Sequence, residues 1–304
     1  MTRWLARLAL GLYPLAFRRR YGDELRALLD QAPVRVLTVL DLVRGALAAH
    51  LRPAGETGLV DPADRVRASA SGVLACWVVF AAAGFGFYKT TEDASFSAAG
   101  HAHRLLGDAH ASVQALALVA SAAVLLGALP LIITAVVHAR RQPRLRLLVS
   151  LPALAVTLFA GLTAVLVLVA HATHSHSPTT GGGIAFIGWG IAGLACGAVC
   201  VAASRTALFA VPMSRGRLIT AFACGALTTA AMAAMALAAA LYAIALPLDA
   251  SHLAGAPNGP LQLISTGVSL VSLLIVMVLA ATLASTTTRR GWRAVDQLHA
   301  AGSS

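Results

Sequence analysis

Residues 217–247 read RLITAFACGALTTAAMAAMALAAALYAIALP. After Arg217 this stretch holds no Asp, Glu, Lys or Arg. At the helical rise it exceeds the roughly 20 residues that cross a hydrocarbon core about 30 Å thick. Its wealth of Ala, Leu and Met suits a helix, and it lacks the apolar-polar alternation of a membrane barrel strand. Five more stretches share the pattern, at about 69–88, 112–138, 147–171, 183–203 and 261–285. The whole chain of 304 residues is 58% hydrophobic and 12% charged, whereas soluble domains carry about 25% charged residues. Aromatics are only 6%, so helix packing is expected to rely on close backbone approach between small residues. The expected architecture is an all-α integral membrane bundle of six transmembrane helices. Residues 1–68 form a short N-terminal cytoplasmic amphipathic helical region, 69–285 the transmembrane domain and 286–304 a cytoplasmic tail.

Charge sets the expected orientation. The formal net charge is +11 and Lys89 is the single lysine. Of the 23 Lys and Arg, all but Lys89 and Arg104 fall in the prefix, in alternate loops (Arg140, Arg141, Arg144 and Arg146, then Arg205, Arg215 and Arg217) or in the tail (Arg289, Arg290 and Arg293). By the positive-inside bias both termini are cytoplasmic, in a multi-pass protein of the bacterial cytoplasmic (inner) membrane. The basic charge is thereby accounted for by the lipid bilayer, and no nucleic-acid partner is expected. Cys76, Cys196, Cys200 and Cys224 all lie in apolar runs and read as small buried hydrophobes, not as a disulfide framework. Leu8 to Phe17 resembles a short signal-peptide core, but Pro14 interrupts it, Arg18 to Arg20 follow it, and no small-residue cleavage site is apparent. Insertion is expected to begin near Ser69.

In the prefix, apolar residues recur at helical spacing in Leu5, Leu8, Leu12 and Leu15, in Phe17, Tyr21, Leu25 and Leu28, and in Leu37, Leu40, Leu47 and Leu51. Gly22 and Asp23 read as a break and a fresh N-cap, while Pro33 and Pro53 bound the last helix. Trp4 on an apolar face, with Arg3, Arg7, Arg18, Arg19 and Arg20 opposite, suits a helix lying on the anionic leaflet or meeting a protein partner. Helices packed on one another are the alternative.

The run Leu12, Tyr13, Pro14, Phe17, Arg18, Arg20, Tyr21, Gly22, Glu24 and Leu25 resembles the "LYPxxFRxRYGxEL" prefix of uncharacterised actinobacterial-type multi-span membrane proteins. It is similar to the permease prefix of some macrolide-exporter-type ABC permeases. Asp41, Leu42, Arg44 to Ala48 and His50 to Pro53 resemble the "DLxRGALxAHLRP" continuation of the uncharacterised group. The resemblance covers about the first 53 residues and implies a membrane region behind the prefix without implying a reaction. The chain departs from those permeases at the 89–111 loop, too short for their large extracytoplasmic domain. With Lys89 its only lysine it has no phosphate-binding G-x-x-x-x-G-K-[ST] loop, so as a transporter it would need a separate energising subunit.

Seven of the ten histidines fall in the outer segments: His101, His103, His110, His171, His174, His176 and His252. Imidazole is the commonest metal ligand near neutral pH, and His101, His103 and Asp108 with His171, His174 and His176 could hold zinc or copper across neighbouring loops. Solvated loop histidines are the plainer reading. No other cofactor is expected. Gly188, Gly190 and Gly193 match G-x-G-x-x-G, but inside an apolar span they lack the strand that a dinucleotide fingerprint requires. Gly193 and Gly197 read instead as a small-residue packing face, inside the chain or between copies of a homo-oligomer. Pro130, Pro152, Pro212 and Pro247 lie in or beside spans, as tolerated kinks or as breaks along a transport path. The span interiors carry no ionisable carboxylate, Lys or Arg, which disfavours ion-coupled transport, and no H-E-x-x-H or G-x-S-x-G run exists. The expected function is non-enzymatic: an accessory, regulatory or sensor subunit acting through protein partners. The alternatives are the membrane subunit of a transporter and outer-face metal sensing.

Overall fold

The structure is a computed structural model that describes residues 15–31, 61–139, 143–173, 180–211, 214–258 and 264–301, together with Ala6, Leu10, Thr38, Asp41, Leu42 and Gly45. Among the described residues there are nine helices: α1 Leu15–Gln31, α2 Pro62–Thr90, α3 Ala94–Ala102, α4 Arg104–Ala139, α5 Pro143–Thr173, α6 Thr180–Ala210, α7 Arg215–Asp249, α8 Ser251–Gly255 and α9 Thr266–Ala301. Six of them (α2, α4, α5, α6, α7 and α9) are long and apolar enough to cross a membrane, one for each expected span. The architecture is an all-α membrane bundle. Between α8 and α9, two-residue strands Pro257–Asn258 and Ile264–Ser265 pair antiparallel.

Helix ends reach further than hydropathy alone marks. Helix α2 starts at Pro62 because the Asp61 side chain accepts a hydrogen bond from the Ala63 N–H at 3.1 Å and Pro62 occupies the first turn, where its missing donor costs nothing. Helix α9 runs to Ala301, through the segment read as a tail, because Ala294 and Val295 are buried against Val66, Leu218 and Phe222. Helix α1 passes through Gly22 without a break. Asp23 does not cap a new helix there, since its carboxylate pairs with Arg26 one turn on, at 2.8 Å. Pro130, Pro152 and Pro247 all sit inside helices. At Pro130 the Thr134 hydroxyl donates to the proline carbonyl. Pro212 lies outside the described residues.

Helices α2, α4, α7 and α9 make the core, with α2 along α9, α4 along α7, and α7 touching both α2 and α9. Phe80, Met232, Ala239 and Met277 are fully buried in its middle. Small side chains let the helices close up: Gly127 of α4 sits so near α7 that a Cβ would stand 2.8 Å from Cys224 Cβ. Two polar links join core helices. Ser69 Oγ donates to the Thr287 carbonyl at 2.6 Å, and the Thr229 and Thr288 hydroxyls bond at 2.9 Å. The remaining spans, α5 and α6, pair with each other and rest on the core chiefly through α6 against α2, with further contacts from both to α4.

The bundle therefore has two distinct ends. At the termini end, α2 begins, α7 begins and α9 finishes. Arg65 donates to Gln297 at 3.2 Å, Arg215 to the Leu298 carbonyl, and Arg217 to Thr134 at 3.4 Å. At the loop end, α2 finishes, α3 turns back and α4 begins beside the last turns of α7.

Candidate functional site

The loop end holds a cavity of about 350 Å³. Its first wall is the last turn of α2. There Thr91 caps the helix, its N–H donating to the Tyr88 carbonyl at 3.1 Å, and Tyr88 and Glu92 line the cavity. The chain re-enters helix at once as α3, where the Phe96 N–H bonds the Asp93 carbonyl at 3.0 Å. Helix α3 then folds flat onto α4 because two glycines meet: a Cβ at Gly107 would lie 2.6 Å from the Gly100 carbonyl oxygen. That contact brings Phe96 and His101 of α3 to the same cavity as His110 and Gln114 of α4, and Tyr242 of α7 lines its side toward the core.

His110 is the centre of this arrangement. The Gln114 side-chain amide and His110 Nε2 form a hydrogen bond at 3.0 Å. Three aromatic rings surround the imidazole: Phe87 at 6.4 Å, Tyr88 at 6.4 Å and Tyr242 at 6.0 Å. Phe87 and Tyr242 also meet edge to face at 5.3 Å, the favoured quadrupole geometry. Two charged pairs lie nearby. Lys89 bonds Glu92, and Arg104 faces Asp108 at 3.4 Å. The cavity thus offers aromatic rings, hydrogen-bonding groups and one carboxylate, Glu92, which Lys89 engages.

The residues singled out in the sequence are spread differently. His101 lines the cavity, but His103 caps the end of α3 and lies 3.9 Å from Asp249, and Asp108 is engaged by Arg104. His171 bonds the Val167 carbonyl at 2.9 Å near the end of α5, while His174 and His176 lie outside the described residues. Among the described residues no three His, Cys, Asp or Glu side chains come together as a metal site. Trp4 lies outside the described residues. Arg18, Arg19 and Arg20 fall within α1, with only their backbone described. Gly193 stands against the Phe159 ring of α5, where a Cβ would be 3.0 Å away, and a Cβ at Gly197 would overlap Val78 of α2. All four cysteines are free.

Sequence reading left Tyr88, Glu92, Gln114 and Tyr242 out of any site. The His110–Gln114 pair had a usable signal, since two polar residues four apart share a helix face in an otherwise apolar run. Tyr242 had none, because only tertiary packing carries it to His110. No protein-family model matches the chain, and no curated protein or solved structure matches it.

Proposed function

We propose that this chain is a non-enzymatic accessory, regulatory or sensor subunit that acts through a protein partner. Its termini end faces the cytoplasm and its loop end the outside. The reading rests chiefly on one observation: the middle of the bundle, where a substrate path would run, is filled by side chains. Phe80, Met232, Ala239 and Met277 have no exposed surface, and Met235 and Ala284 pack beside them. A carrier built on this core would have to open it, whereas a binding protein needs only the cavity at one end and a contact surface at the other. The arginines gathered at the termini end support the orientation, since basic residues are retained on the cytoplasmic side. The prefix, with Arg18, Arg19 and Arg20, is then the segment placed to meet a cytoplasmic partner.

Crosslinking in native membranes, followed by affinity purification and mass spectrometry, tests this. The expected result is a cytoplasmic protein captured with the full chain and lost when residues 1–53 are deleted. A stoichiometric ATPase would replace the reading with that of a transporter subunit, the alternative suggested by the permease-like prefix. Purification of the chain alone would overturn it.

A further inference from the structure

The lining of the loop-end cavity is unevenly charged. Its lining contains one carboxylate, Glu92, and no Lys or Arg. The surrounding end of the bundle carries Glu92, Asp93, Asp108 and Asp249 against Lys89 and Arg104. Arg104 is turned away, its side chain 94% exposed and directed at Asp108. Two tyrosines line the cavity, an exposed Tyr88 from α2 and a buried Tyr242 from α7, with ring centroids 6.4 and 6.0 Å from that of His110. His110 Nε2 is already engaged by the Gln114 side chain, so the imidazole contributes chiefly its flat face to the lining. Aromatic faces attract a cation through the ring quadrupole, more strongly where water is partly excluded, and a carboxylate in the lining raises the local cation concentration. At about 350 Å³ the space is at the small end of ligand pockets.

We propose that this cavity binds a small organic cation, an ammonium group carrying a few carbons, held between Tyr88, Tyr242 and Glu92. Lys89 then has a defined part. Its ammonium occupies Glu92 in the structure and competes with the ligand for that carboxylate. This site stands apart from the partner reading, because its failure leaves the crosslinking result untouched.

The test is isothermal titration of the full chain in lipid nanodiscs with choline and with its uncharged isostere, 3,3-dimethyl-1-butanol. Choline is expected to bind at least about ten-fold more tightly than the isostere, since shape is shared and only charge differs. Glu92→Gln and Tyr88→Leu change exposed positions, so the protein should still elute as a folded species, and each should weaken choline about five-fold. Lys89→Met removes the internal competitor and should tighten choline binding. Equal binding of choline and the isostere would overturn the proposal. So would no choline binding by the folded protein, zinc binding in its place, or choline binding unchanged in both weakening variants.

Discussion

Helices α5 and α7 are both long, apolar and free of charge along their spans, with mean hydropathy of 2.4 and 2.0 in their most apolar windows. Yet half of the α7 window is buried inside the protein and none of the α5 window is. The more hydrophobic helix is the more exposed one. In water the reverse would hold, but lipid chains are as apolar as a protein interior, so hydrophobicity does not sort helices between core and rim. Shape and small polar contacts do. Helix α7 presents Ala231, Ala238, Ala239 and Ala245 beside Met232, Met235 and Tyr242, a surface of shallow grooves and filling side chains. Helix α5 carries Leu154, Leu158, Val165 and Leu168 outward, side chains placed to meet lipid.

The contrast can be broken most severely in the core. Met232→Ala, at a position with no exposure, should cost about 2–5 kcal/mol through lost contacts and an unfilled cavity. Leu158→Ala, at a position 64% exposed, should change stability by less than about 0.5 kcal/mol. Equilibrium unfolding of both variants in mild detergent would measure the difference, and equal losses would mean that α5 is as tightly packed in the membrane as α7. At the junction of the two regions, Gly197→Val should cost about 1–3 kcal/mol because its side chain would overlap Val78. Gly188→Ala on the same helix has open space and should be close to neutral by the same assay. A small effect is expected in the core's polar links: a double-mutant cycle with Thr229→Val and Thr288→Val should give a coupling of about 0.6 kcal/mol. A coupling near zero would assign the two hydroxyls to their own helices.

Much of the fold was legible without coordinates. Each apolar stretch is a helix, because a chain in lipid must satisfy its backbone groups internally. The ends were less legible. The first span starts at Pro62 and the last helix runs on to Ala301, since Asp61 caps the one and Val295 finds partners across the bundle for the other. The site was legible only in pieces. His101 and His110 stand out as histidines at one end, but the sequence groups His101, His103 and Asp108 with His171, His174 and His176 as a candidate ligand set, whereas His103 faces Asp249 and His171 bonds its own helix. Tyr88, Glu92 and Tyr242 look like ordinary helix-end residues until α3 folds back and α7 arrives beside them.

The sequence by itself determined the number of spans, their helical character and the gathering of arginine toward one end, because length, hydropathy and charge act locally along the chain. Tertiary structure alone decided which spans form the core, which lie at its rim, and which polar side chains share a cavity. Those outcomes depend on complementarity between surfaces far apart in sequence, and in a membrane no difference in hydrophobicity marks such surfaces in advance.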